Sequence, residues 1–181
     1  MTTITKNLII FVFITIFIIA SIPIFYLSTF NTKYKDIFKT TAQENNVSLA
    51  LALSIAKTES KFNPNAKSSA NAIGIMQIKL DTANYIRDLN NETLFVESDL
   101  YIPEINIEYG IKYIDYLFSK FENEDVVICA YNAGETVVRS WLANNTYSFD
   151  GETLHEIPYK ETKNYLKKVK FNKKIYEKLV K

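Results

Sequence analysis

Val47-Ser48-Leu49-Ala50-Leu51-Ala52-Leu53-Ser54-Ile55-Ala56 (VSLALALSIA) is an almost wholly apolar run that closes, three residues later, on Glu59-Ser60. With Ser48 available as an N-cap, the run predicts a helix from Ser48 to Glu59. Glu59 lies three, four and seven residues beyond Ala56, Ile55 and Ala52, so it continues the same helical stripe. The sequence thus carries a carboxyl group toward an apolar neighbourhood. Desolvation there disfavours the charged form and raises the pKa, so that a glutamic acid keeps its proton near neutral pH and can donate it as a general acid. Taken alone, a glutamate at a helix end more often turns to solvent or pairs with a neighbour, here Lys57 or Lys61. The residues further along the chain favour the acid.

Working outward, Tyr34 to Glu44 reads as a preceding helix, separated from the first by Asn45-Asn46. Downstream, Phe62-Asn63-Pro64-Asn65-Ala66 breaks the helical pattern. Lys67 to Ile73 is rich in Ser, Asn and Ala, fits a short two-stranded element, and delivers Gly74 at a bend. Lys79 to Leu89 predicts another helix, and Pro103, at a first-turn position, opens a longer one to Phe121. In it Ile107, Ile111, Ile114, Phe118 and Phe121 recur at four-three-four-three spacing, one face packing on the core. Glu124 to Ala133 and Thr136 to Ala143 read as helices hinged at Gly134, and Glu161 to Val180 as the last. The class is mainly α with a short β element.

At 181 residues, 48% of them hydrophobic, and with a formal charge of +1, the chain accommodates one globular domain and an appendage. The expected division is 1–30 for the appendage and 31–181 for the domain. Asn7 to Leu27 is uncharged and nearly all apolar, about the length of a membrane-spanning helix, which predicts a single-pass membrane anchor, and charge bias does not set its orientation, since Lys33, Lys35 and Lys39 lie downstream against Lys6 upstream. A cleaved signal peptide and secretion are the alternative: Lys6 followed by the run to Ala20 has that form, but the apolar stretch continues past Ala20 with no clear cleavage site.

Lys160 to Lys181 holds nine lysines and two glutamates, a net +7, which leaves −6 for the rest. Solvated lysines on a terminal helix explain this, as does attraction to anionic wall polymers or lipid headgroups. Nucleic-acid binding does not fit, since the basic residues occupy one end and no binding motif accompanies them. Cys129 is the only cysteine and His155 the only histidine, so no intramolecular disulfide, zinc site or other metal site is expected, and no cofactor.

Four segments in order then carry a resemblance: Glu59-Ser60, Gly74-Ile75-Met76-Gln77, Ala130-Tyr131-Asn132-Ala133-Gly134, and Ile157-Pro158-Tyr159-Lys160-Glu161-Thr162-Lys163-Asn164-Tyr165. Together they resemble the motifs of the soluble-lytic-transglycosylase (SLT) catalytic domain, over about Tyr34 to Val169. Asn106-Ile107 with Gly110 and Tyr113-Ile114 resembles the family's central helix.

The resemblance implies a lysozyme-like (goose-type/SLT) helical fold whose groove takes the glycan strands of peptidoglycan, and hence a catalytic domain that faces outward to the cell wall. It further implies cleavage of the β-1,4 bond between N-acetylmuramic acid and N-acetylglucosamine without water, leaving 1,6-anhydro ends, with Glu59 as the single acid/base. Ser60, Gly74, Met76, Gln77, Tyr131, Asn132, Glu161 and Tyr165 are the implied substrate-side residues. Their chemistry suits the role. Gly74 lets a sugar approach the backbone, Met76 is an adaptable apolar wall, and Gln77 and Asn132 offer donors and acceptors. Tyr131 offers a ring and a hydroxyl. Each also has a plain structural reading: a glycine turn with Met76 in the core, a helix-ending turn at Gly134 with a buried tyrosine, and Glu161 at a helix start where the dipole favours it.

The same fold family admits a hydrolytic muramidase, which needs a second carboxylate, and a noncatalytic wall-binding or assembly protein. Cell-wall or secretion machinery is the further partner class. Three departures from the family pattern stand out: Lys79-Leu80-Asp81-Thr82 where a proline is common, Cys129 at a small-residue position, and Lys163 for an arginine. The last loses bidentate geometry.

Overall fold

The computed structural model describes residues 10–21, 34–89 and 93–180. The chain divides into two units, Met1–Lys33 and Tyr34–Lys181. In the first, residues 10–21 form helix α1.

This corrects one expectation. Among the described residues no helix is long and apolar enough to cross a membrane. The 12 described residues of α1 rise about 18 Å, short of the roughly 30 Å of a bilayer's hydrocarbon core. The remainder of the expected span, residues 7–9 and 22–27, lies outside the described residues. The transmembrane helix, the membrane as a partner through it, and the single-pass location therefore have no support.

The second unit is mainly helical: α2 (Lys35–Glu44), α3 (Leu49–Glu59), α4 (Leu80–Asp88), α5 (Pro103–Phe118), α6 (Glu124–Ala133), α7 (Glu135–Leu142) and α8 (Lys160–Leu179). A 3-10 turn, Glu97–Tyr101, precedes α5 and has no counterpart in the sequence reading. The β element is a hairpin of β1 (Ala72–Ile73) and β2 (Ile78–Lys79), antiparallel, with Ala72 opposite Lys79 and Ile73 opposite Ile78, so its second strand lies beyond the Lys67 to Ile73 stretch in which it is expected.

Ala50 through Ala56 are all buried in α3, so this helix has no solvent face over nearly two turns. An apolar surface all round is stable only inside a core, and α3 packs against α2 and along α8. Ser48 caps it as expected, its Oγ accepting from the Leu51 N–H at 3.4 Å. Buried Ser54 donates to the Leu51 carbonyl at 2.7 Å, which satisfies its hydroxyl without a partner outside the helix.

Two non-glycine residues in the left-handed region, Lys61 (φ 56°) and Phe62 (φ 64°), turn the chain sharply after α3. Such residues cost about 1–2 kcal/mol each. The offset is at hand: the Phe62 ring meets Phe38 and Tyr176 edge-on, with centroids 6.0 and 6.4 Å away.

On α5 the expected stripe buries Ile107, Ile111 and Ile114, while Leu117 rather than Phe118 takes the next core position. Basic α8 is fastened to the acidic first turn of α6 by Lys170 to Asp125 and Lys173 to Glu124, both 2.6 Å. Exposed pairs of this kind contribute at most about 1 kcal/mol each, so they set orientation while Val169 and Tyr176, fully buried, hold α8 to the core.

Candidate active site

The last turn of α3, the β1–β2 hairpin, the α6–α7 junction and the first turn of α8 converge on one cleft of about 400 Å³. Glu59, Gln77, Lys79, Tyr131, Asn132 and Glu161 are among its lining residues. Sequence positions about a hundred residues apart meet because α8 runs along α3.

At Glu59 the chemistry is unusual for a carboxyl. Burial pushes its pKa up to about 7; the hydroxyl of Tyr165 pulls the other way, and the charge of Glu161 adds to the rise. Tyr165, buried on α8, donates its hydroxyl to Glu59 Oε1 at 2.7 Å. With one carboxyl oxygen occupied as acceptor, the acid proton resides on the other, free for a reacting atom. Burial also holds the Tyr165 and Tyr131 hydroxyls well above the ordinary phenol value, and Tyr113 at about 12, so all three stay protonated. Removing the Tyr165 hydroxyl takes away the contact that favours the carboxylate. Tyr165→Phe is expected to move the Glu59 titration above 7, checked by following its side-chain carboxyl resonance against pH; a downward move would contradict the assignment.

The turn Gly74–Gln77, which joins the two strands, is built from inside the fold. Asn106, buried on α5, accepts from the Met76 N–H at 2.7 Å and donates to the carbonyls of Ile73 and Leu100, both at 2.8 Å. Gly74 sits at φ +76°, and a Cβ there would lie 2.6 Å from Asn106 Cγ and from the Leu100 oxygen. Its missing side chain therefore makes room for Asn106. Met76 is fully buried over Gly110, where a Cβ would come within 2.5 Å of the Met76 sulfur. Neither Gly74 nor Met76 lines the cleft. Ser60 does not line it either: its hydroxyl donates to the Ile75 carbonyl at 2.7 Å and accepts from the Asn63 N–H at 3.0 Å, tying the end of α3 to the same turn.

Gln77 does line the cleft, in the left-handed region at φ 49°. Its amide nitrogen donates to Ala66 O at 3.2 Å and Gly74 O at 2.9 Å, which leaves the side-chain carbonyl to face a ligand's donor. Tyr131 donates to the Met76 carbonyl at 2.8 Å, so its hydroxyl braces the turn, and its ring lies 5.4 Å from that of Tyr113. Asn132 accepts from Thr162 at 2.8 Å, which fixes its amide and leaves its N–H groups available. Gly134, at φ +93° between α6 and α7, lines the cleft with nothing within 4 Å of a notional Cβ.

Of the nine residues singled out from sequence, Glu59, Gln77, Tyr131, Asn132 and Glu161 thus lie on the cleft, Tyr165 touches Glu59 from behind, and Ser60, Gly74 and Met76 support the wall. Asn106, Tyr113 and Lys79 had no individual role in the sequence reading. The available signal for Asn106 is its place four residues before Gly110, a polar group and a gap on the isoleucine face of α5.

A helical domain around a cleft with a shielded carboxyl at the end of the buried helix α3 is the class these features define. The chain belongs to the Transglycosylase SLT domain family, whose model matches residues 36–153. It is 35% identical over 143 residues to the soluble lytic murein transglycosylase of Escherichia coli, an alignment covering 77% of this chain and 22% of that protein. The crystal structure of the 70 kDa soluble lytic transglycosylase from Escherichia coli superposes with a TM-score of 0.74 at 32% identity, covering 83% of this chain and 25% of that one. An inactive glutamate-to-glutamine variant of the lytic transglycosylase Slt from Pseudomonas aeruginosa gives 0.73 at 28% identity, with the same coverage of 83% and 25%. The chain therefore spans about a quarter or less of the length of these relatives. Matched relatives include both soluble and membrane-bound lytic murein transglycosylases.

Proposed function

We propose that this chain is a lytic transglycosylase that cleaves the β-1,4 bond between N-acetylmuramic acid and N-acetylglucosamine in peptidoglycan, with Glu59 as its one acid/base. The observation that carries the reading is the Glu59 carboxyl itself: on the cleft, held by Tyr165, and raised to about 7. Protonated Glu59 gives its proton to the glycosidic oxygen as the bond from C1 to that oxygen breaks. The carboxylate so formed takes the proton of the muramic C6 hydroxyl while O6 bonds to C1. The 1,6-anhydro ring closes, Glu59 regains its proton, and no water is consumed. A carboxyl poised near 7 serves both steps, since neither its gain nor its loss of a proton is far uphill at neutral pH.

The surrounding groups fit a strand of acetamido sugars. The Gln77 carbonyl and the Asn132 N–H groups supply an acceptor and donors, and Tyr131 beside Tyr113 supplies aromatic surface. Burial does most to keep Glu59 protonated, and the charge of Glu161, in the first turn of α8, adds to it. The inactive glutamate-to-glutamine relative supports the dependence of this family on one glutamate.

One observation favours a second reading, hydrolysis: Glu161 places a second carboxyl on the cleft, as a muramidase needs. The products separate the two. Incubation with purified sacculi and mass spectrometry of the released muropeptides is expected to give anhydro-muramic ends, each lighter by one water than the hydrolytic product. Reducing ends would establish the muramidase, and no release would leave a wall-binding protein.

A further inference from the structure

Lys79 is a cation built into a cleft whose other charged lining residues are Glu59 and Glu161. It ends β2 opposite Ala72, where the strand alternation sends Ile78 into the core and leaves Lys79 exposed. It is also the N-cap residue of α4 and makes no side-chain capping bond. Five other lysines of the described domain are held by carboxylates, for example Lys67 by Glu97 and Lys163 by Glu156. These are Lys67, Lys112, Lys163, Lys170 and Lys173, and among the described residues Lys79 is in no such pair. Neither cleft acid pairs with it.

An ammonium kept free on a ligand cleft is matched by an anion on the ligand. A peptidoglycan strand has neutral sugars, and its anions are the carboxylates on the arm at muramic O3: the lactyl carboxylate where the stem is missing, or the stem-peptide carboxylates where it is present. We infer that Lys79 is a specificity-determining residue that engages a carboxylate on this O3 arm, so that the cleft prefers strands carrying it over strands in which it is masked. The inference rests on the peptidoglycan reading above and names which part of the strand the Lys79 edge of the cleft recognises.

The test is binding by the full chain carrying Glu59→Gln, so that bound strands stay intact, alone or with Lys79→Met or Lys79→Arg added. Three glycan preparations serve as probes: strands with free stem carboxylates, the same strands with those carboxylates converted to amides, and strands stripped to the lactyl group. The expected result is about threefold to fivefold tighter binding of free-carboxylate than amidated strands, shrinking as salt is raised. Lys79→Met abolishes the preference and Lys79→Arg retains it. If stripped strands bind as tightly as free-carboxylate strands, the lactyl carboxylate takes the same place where the stem is missing; if they bind as weakly as amidated strands, the stem alone is the partner. Equal affinity for all three preparations in the Lys79 protein overturns the inference and leaves the function standing. Binding of none of the strands overturns the function and the inference with it.

Discussion

Glu59→Gln is expected to lower the rate of strand cleavage by about a hundredfold to ten-thousandfold, the range a positioned general acid contributes. The amide is nearly isosteric and can still accept from Tyr165, so loss of activity reports proton transfer and not a collapsed wall. Stability provides an independent check. A carboxyl raised from 4.5 to about 7 costs the folded state about 3 kcal/mol once ionised. Between those values the folded chain binds a proton that the unfolded chain has lost, so wild-type stability falls as pH rises through that window. The glutamine variant escapes this fall. Thermal melts should therefore show the variant more stable than the wild type at pH 8, with a smaller gap at pH 5, a trade of stability for activity. A variant with full activity, or a gap that widens toward acid, contradicts the assignment.

Gly74→Ala is expected to be the most damaging of the glycine substitutions, at about 4–6 kcal/mol. The left-handed backbone at φ +76° accounts for about 1–2 kcal/mol. The larger part comes from Asn106, whose side chain stands where the methyl must go and whose amide satisfies Met76 N–H, Ile73 O and Leu100 O. Displacing it strands buried backbone groups at about 1–3 kcal/mol each. Gly134→Ala is the control: its φ is +93° with open space around it, so backbone strain of about 1–3 kcal/mol is the whole cost. Urea denaturation of the two variants should separate them clearly. Equal losses would mean that Asn106 does not hold the turn.

The two glycines show where the sequence is legible and where it is not. That Gly74 and Gly134 punctuate the chain follows from their neighbours, because a glycine between helical or strand-like runs marks a bend. Why Gly74 in particular must lack a side chain depends on Asn106, 32 positions away, and no local pattern encodes that. The same divide runs through the site. Glu59 was readable because helical spacing placed it on the apolar stripe of α3, and the Ser48 cap and most helix ends followed from local chemistry. The destinations of the hydroxyls of Ser60 and Tyr131 were not readable, since both go to backbone carbonyls of the Gly74–Gln77 turn. Both hydroxyls thus brace the wall of the cleft, while the Tyr131 residue itself also lines it. The apolar segment near the N-terminus is the converse: composition predicts a spanning helix, whereas among the described residues no helix is long and apolar enough to cross a membrane.

The account depends on one proton. Its most direct test is the titration of the Glu59 side-chain carboxyl, followed by carbon NMR in the full chain and assigned by its disappearance in Glu59→Gln. The account predicts a midpoint near 7, and a midpoint near 4.5, the ordinary value for a solvated glutamate, would contradict it.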